Sequence, residues 1–242
     1  VILAGRPLEL ADVVERADAV LFCFHPGSGT GPAVADLLLG DTDPSGRLPV
    51  TLPRSVGQVP IYYGRGNTGR PPLNGEVQFL DDIPIGAKQY STGNTAYHLD
   101  VDPSPLFPFG FGKSYTDFRY DQLTVSVAGA GQTLTISIEV RVTNIGDRPG
   151  IETVQLYLRD PVARVARPLR ELKAFEKVML APEESHRVEF RLGIRDLAYH
   201  DGRSWFVEPG RFEWFVGSDS TARQSCAIDL DASQIGNEPL GD

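Results

Sequence analysis

Leu134-Thr135-Ile136-Ser137-Ile138-Glu139-Val140-Arg141-Val142-Thr143 alternates apolar and polar side chains without a break. A period of two places Leu134, Ile136, Ile138, Val140 and Val142 on one face of a strand. Thr135, Ser137, Glu139, Arg141 and Thr143 take the other, which implies one buried and one wet face. Asn144-Ile145-Gly146-Asp147 follows with turn chemistry. The alternation returns in Val154, Leu156 and Leu158, in Val188, Phe190 and Leu192, and in Phe212, Trp214 and Val216.

Short alternating strands at this spacing, separated by turn signals, predict an all-β sandwich of about seven strands. The Cys…Trp…Cys spacing of antibody domains is missing, so the sandwich is read as fibronectin type III-like. It is placed at residues 119–230, with a C-terminal tail at 231–242.

Upstream the pattern changes. Residues 1–55 alternate short apolar runs with helical spacing, as α/β units do. Val1 to Leu3 reads as the end of a strand. Leu10, Val13, Val14 and Ala17 share a helical face within 8–17. Ala19 to Phe24 is a continuous apolar run, as a parallel strand covered on both faces requires. Gly27-Ser28-Gly29-Thr30-Gly31-Pro32 then turns into a helix over 33–39, with Pro32 at its first position and Gly40 ending it. Residues 40–118 are rich in Gly, Pro, Asn and Asp, with a long irregular stretch at about 64–105. They close on Leu106-Phe107-Pro108-Phe109-Gly110-Phe111-Gly112, a cluster suited to packing between domains. The fold class expected is α/β followed by all-β, with a partial α/β sandwich domain over 1–118.

The net charge of −9 argues against nucleic acid, which requires clustered Lys and Arg. The longest apolar run, Ala19 to Phe24, is far short of a membrane span. Cys23 and Cys226 lack metal-ligand spacing, and the four histidines form no H-x-x-x-H pair. No metal and no cofactor are expected. Cys23 is read as a small core residue. The chain opens on an apolar run with no methionine, and is expected to be a fragment or a processed product that enters in mid-fold.

Chemistry is harder to read from the residues alone. The Gly27 to Gly31 turn lacks the Gly-Lys-Ser/Thr of a P-loop and misses G-x-G-x-x-G, so a tight strand-to-helix connection is the better reading. Ser28 lacks the G-x-S-x-G frame of a nucleophile. Glu76, Asp81, Asp82, Asp100 and Asp102 lie in the irregular stretch, where nothing marks the apolar pocket that raises a general acid's pKa. Tyr62, Tyr63, Asn67, Arg70 and Tyr90 offer rings and donors for a sugar, although tyrosines in such loops often only pack beneath them.

A family resemblance adds more. Gly40-Asp41-Thr42-Asp43-Pro44-Ser45-Gly46-Arg47-Leu48-Pro49-Val50-Thr51-Leu52-Pro53 resembles the G-D-x-x-P-S-G-[KR]-L-P-x-[ST]-x-P signature of glycoside hydrolase family 3. Gly5-Arg6-Pro7, Ala33-Val34-Ala35-Asp36, the run from Ser55 to Tyr63, and Asn67-Thr68-Gly69-Arg70-Pro71 are similar to family stretches in the same order. Phe107 to Thr116 resembles the motif that joins the sandwich domain. Inside the sandwich, Val142 to Gly146, Arg167-Pro168, Glu171 to Phe175 and Val207 to Gly210 also fit.

The resemblance implies the C-terminal portion of a retaining, exo-acting β-glycosidase acting on β-glucosides or β-xylosides. In that family a barrel domain supplies an Asp nucleophile, and a loop of the α/β domain supplies the acid/base Glu. Both match positions upstream of Val1, so no residue here inherits a catalytic role and the chain alone is expected to be inactive. The barrel would be present in cis or as a partner chain. Asn67, Arg70 and Tyr90 become candidates for the substrate rim. Two departures stand out: Gly29 where members often carry Glu, and Lys113 where the joining motif is apolar. A non-catalytic structural or sugar-binding remnant is the alternative.

Overall fold

A computed structural model describes residues 1–66, 77–88 and 96–236. In chain order its strands are Phe118–Ala128 (β1), Thr135–Asn144 (β2), Gly150–Arg159 (β3), Glu171–Leu180 (β4), Ser185–Gly193 (β5), Tyr199–His200 (β6), Trp205–Phe206 (β7), Gly210–Gly217 (β8) and Gln224–Leu230 (β9). The helices are Ala11–Arg16 (α1), Thr30–Leu39 (α2), Ile194–Leu197 (α3) and Ala232–Ile235 (α4). Two antiparallel sheets, β1-β2-β5 and β4-β3-β8-β9, face each other, and β6-β7 is a separate hairpin. The seven-strand sandwich read from the alternation is therefore present.

The alternating strand fixes the register. Ile136, Ile138 and Val140 of β2 sit opposite Leu192, Phe190 and Val188 of β5. Their side chains meet Val154, Leu156 and Leu158 of β3 and Phe212, Trp214 and Val216 of β8 in one core cluster. Each fully buried side chain of this kind contributes about 1.5–3 kcal/mol of transfer free energy. Asn144, the residue read as turn chemistry, is completely buried and fully used. Its Oδ1 accepts from Thr116 Oγ1 and the Gly146 amide, and its Nδ2 donates to the carbonyls of Arg148 and Leu180. Residues read as a tail supply α4, whose Ile235 is part of the core.

The α/β portion is built differently. The apolar run at Ala19 to Phe24 forms only a single parallel bridge, Ile2 to Phe22, with Ile2 N–H donating to Leu21 and Cys23 N–H to Ile2. A covered parallel strand needs a neighbour on each side and helices on both faces, and these residues supply neither. Cys23 is accordingly half-buried rather than core. The helix read at 8–17 is limited to α1, because Leu10 at its N-cap offers no side-chain acceptor. The second helix starts earlier than read, at Thr30, which places Pro32 third and not first; Gly40 ends it in the left-handed conformation at φ 81°. Neither α1 nor α2 has a buried residue, and Leu38 and Leu39 face solvent.

Stability should divide the same way. Replacing Ile138 with Ala is expected to cost about 2–5 kcal/mol, by transfer plus cavity terms. Leu39→Ala, at a residue 78% exposed, is expected to change stability by less than about 0.5 kcal/mol. Urea unfolding followed by tryptophan fluorescence checks both. Limited proteolysis should leave a protected fragment ending in the sandwich, and a resistant N-terminal fragment would contradict this division.

Candidate functional site

The polar and aromatic motifs converge on one place, the outer face of the four-stranded sheet. Residues 48–52 run antiparallel to residues 106–111. Leu48 N–H donates to Phe111, Gly110 N–H to Leu48, and Leu52 N–H to Phe107, with N···O distances of 2.8–2.9 Å. Leu52 is buried between them, and the Phe107 and Phe111 rings stack at 4.7 Å. The Gly-Asp to Leu-Pro string is thus one strand-like half of a strap, and the Phe-Gly cluster is the other.

A single carboxylate ties the strap to the sandwich. Asp43 Oδ1 accepts from Ser114 Oγ (2.7 Å) and the Tyr115 amide (2.8 Å), while Oδ2 accepts from the Ile151 amide (2.9 Å). Thr153 Oγ1 donates to the Ser45 carbonyl, and Gln155 Nε2 donates to the Gly110 carbonyl at 3.0 Å. Tyr157 lies under Tyr63, which in turn stacks on Phe109 at 4.1 Å. The outward residues of β3 are therefore covered, so the strand is buried on both faces. The alternation had implied one wet face there.

Two glycines of the strap have no room for a side chain. At Gly110, with φ 81°, a Cβ would stand 2.1 Å from Gln155 Oε1 and 2.8 Å from the Tyr157 hydroxyl. At Gly112 it would stand 2.5 Å from the Gly46 carbonyl oxygen. A left-handed backbone pressed on two side chains requires glycine at Gly110, and close approach of two backbones requires it at Gly112. Lys113, the departure from the apolar pattern, points to solvent.

Arg47 makes the second tie. It lies 2.9 Å from Glu152 Oε2, the two side chains being 7% and 4% exposed, and Tyr120 donates its hydroxyl to Glu152 Oε1 at 2.6 Å. Burial pushes the Glu152 carboxyl above the usual carboxylate range, against the opposing pull of Tyr120 and Arg47. A raised carboxyl is what a general acid needs. Here both its oxygens are occupied by protein groups, so it acts as a structural acceptor.

Among the described residues, the carboxylates singled out in the sequence form no cluster of three. Asp81 and Asp82 lie in a short 3-10 turn, Leu80–Asp82. Asp102 accepts from the Ser104 amide at 2.7 Å, and hydrogen bonding from the Ser104 side chain and then its amide holds the Asp102 pKa below the usual value. Gln58 closes the same corner, accepting from the Arg54 amide and donating to the carbonyls of Asp102 and Ser104. Tyr62 is exposed, while Tyr63 packs in the strap. Asn67, Arg70, Glu76 and Tyr90 lie outside the described residues. Among the described residues, no three His, Cys, Asp or Glu side chains gather as metal ligands. A cleft of about 380 Å³ opens between Asp41, Tyr115, Arg148 and Met179, at the seam of the two parts.

Fold and seam define a class, an α/β module built into the flank of a fibronectin type III-like sandwich. Residues 1–115 match the glycosyl hydrolase family 3 C-terminal domain, and residues 152–220 match the fibronectin type III-like domain. The periplasmic β-glucosidase of Salmonella typhimurium is 38% identical over 95% of this chain, which spans 28% of that protein. A β-xylosidase of Formosa agariphila is 39% identical over 95% of the chain, which spans 29% of it. The crystal structure of a Listeria innocua β-glucosidase in complex with isofagomine superposes with a TM-score of 0.79 at 35% identity, covering 94% of this chain and 30% of that one. The chain belongs to glycoside hydrolase family 3, of which it carries the C-terminal α/β and fibronectin type III-like parts.

The seam residues Asp43 and Arg47 lie within the family string, but Glu152, Tyr120, Thr153 and Gln155, which complete the seam from the sandwich side, were not legible as a site. The available signal was the density of polar residues in Ile151-Glu152-Thr153-Val154-Gln155, too many for a strand with one wet face. Removing one member of a buried ion pair strands the other charge, so Arg47→Met should cost about 3–5 kcal/mol in urea unfolding. The double change Arg47→Met with Glu152→Met should recover more than half of that loss. Additive losses would mean the pair is not coupled.

Proposed function

We propose that this chain is the C-terminal portion of a retaining exo-acting β-glycosidase, β-glucosidase-like, whose two catalytic carboxylates belong to segments other than these residues. The observation that carries the reading is the contrast in burial. The sandwich closes its own core, whereas α1 and α2 of the family-3 module bury nothing and leave Val13, Leu38 and Leu39 in water. An α/β module normally covers both helical faces of its sheet, so this surface suits the remainder of the same domain and the catalytic barrel. The relatives named above, of which this chain spans less than a third, are a β-glucosidase and a β-xylosidase, so β-glucosides and β-xylosides are the substrates proposed.

A retaining glycosidase requires one carboxylate as nucleophile and a second as acid and then base, about 5–5.5 Å apart. With both of those carboxylates assigned to other segments, the purified chain should not turn over aryl β-glucosides or β-xylosides. Supplying the barrel, in cis or as a separate chain, should restore turnover. Activity of the chain alone that vanishes on Glu76→Ala or Asp81→Ala would overturn the proposal. No turnover in the barrel-supplemented protein would favour a non-catalytic module.

In the complete enzyme we assign Asn67, Arg70 and Tyr90 to the rim of the sugar site. Arg70→Ala is then expected to raise KM about tenfold, the loss of one charge-assisted hydrogen bond, with Tm nearly unchanged. Steady-state kinetics and a thermal melt check it.

A further inference from the structure

The cleft at the seam is walled by groups that the docking does not use. Asp41 frames it on the α/β side and Tyr115, Arg148 and Met179 on the sandwich side, around a volume of about 380 Å³. That is the small end of the range of about 300–1,000 Å³ for small-molecule sites. Asp43, also in the wall, is occupied by Ser114, Tyr115 and Ile151. Asp41 and Arg148 are different. Both are exposed, and among the described residues neither side chain has a hydrogen-bond or ion-pair partner.

Their main chains are nevertheless held. The Asp41 amide donates to the Asp36 carbonyl at 2.8 Å, at the end of α2. The Arg148 carbonyl accepts from Nδ2 of the buried Asn144 at 2.7 Å. Tyr115 is fixed at both ends, its amide donating to Asp43 Oδ1 and its hydroxyl to the Leu37 carbonyl, yet the residue is 45% exposed. Met179, 70% exposed, adds an adaptable apolar edge. The backbone of the cleft is therefore set in advance. It presents a half-exposed aromatic ring, one anionic acceptor and one cationic donor.

This lining selects a class of ligand. The two charges cancel, so neither an anion nor a cation is favoured overall. A carboxylate offers two acceptor oxygens and a guanidinium a planar fork of donors, which together suit adjacent hydroxyls on a ring. The negative face of the tyrosine ring attracts the polarised C–H bonds of a flat, uncharged surface. A pyranose with equatorial hydroxyls has both features, a rim of hydroxyls around an apolar C–H face. We propose that this cleft is a binding site for a neutral pyranose sugar, stacked on Tyr115 and held between Asp41 and Arg148. The assignment follows from the lining and stands whether or not the complete protein cleaves glycosides.

The test uses the whole 242-residue chain, with amide shifts followed by two-dimensional NMR during titration with methyl β-glucoside and methyl β-xyloside. A Kd of about 1 mM is expected for so small a ligand. The shifts should centre on Asp41, Thr42, Tyr115 and Arg148. Asp41→Asn and Arg148→Met should each weaken binding about tenfold, by removing a charge-assisted hydrogen bond. Neither change should disturb the spectrum outside the cleft, because neither side chain holds the fold. Sorbitol has the hydroxyls without the flat ring face and should bind about tenfold more weakly. Sorbitol binding as well as the glycosides overturns the stacked pose and with it the proposal. A response to glycine and to neither glycoside makes the cleft a zwitterion site and also overturns it. So does a full response in both the Asp41 and Arg148 variants, or no response at concentrations well above the expected Kd.

Discussion

The Asp43 carboxylate accepts three hydrogen bonds from two other chain segments at once, and the seam is arranged around that fact. Its two oxygens hold Ser114 and Tyr115 at the end of the strap and Ile151 at the start of β3. With those fixed, the strap has to lie along the outer face of the sheet. Thr153 and Gln155 then donate to the Ser45 and Gly110 carbonyls, and Gln155 also to that of Ser218. The polar outer face of β3 would otherwise be wet. Covered as it is, each polar group must be paired, because a buried donor or acceptor left alone costs about 1–3 kcal/mol.

Arg47 and Glu152 serve the same seam by different physics. Hydrogen bonds among neutral groups tolerate small shifts, but a desolvated ion pair is severe about geometry. Separating its members leaves two uncompensated charges in an apolar surround. The pair therefore adds little net stability over a well-packed apolar substitute while discriminating strongly against other ways of seating the strap. Gly110 and Gly112 restrict the seating further, since any side chain there would strike Gln155 or the Gly46 backbone.

What could be read from the residues follows from which forces are local. The alternation in Leu134 to Thr143 specifies a face, and β5 and β8 repeat that logic, so the sandwich was legible from the residues. β3 was legible only as a strand. Its second buried face depends on residues more than a hundred positions away, such as Ser45 and Arg47, and no local pattern encodes that contact. Helices α1 and α2 had the right spacing but differ in their limits, because their ends are set by backbone partners and not by the apolar period. The family string was recognisable, yet its chemistry was not. Asp43 and Arg47 look like candidates for a reaction until their partners show that both are structural.

The most recognisable string in the chain carries an Asp, a Ser and an Arg in close order, the residue types of an active site. Each is consumed by the seam: Asp43 by three donors, Ser45 by Thr153 and Lys177, Arg47 by Glu152. A side chain engaged by protein partners in a closed seam is poorly placed to meet a substrate, even where one donor, the Arg47 Nε, has no partner among the described residues. Geometry of this kind is set by many residues acting together, so a change at any one of them is felt as a lost docking contact. The chemistry of sugar cleavage makes a different demand, for groups left free and facing an open site. The seam spends its carboxylates and most of its donors on the first requirement, leaving the Arg47 Nε and Thr51 Oγ1 buried without partners among the described residues, so its role is docking and not cleavage.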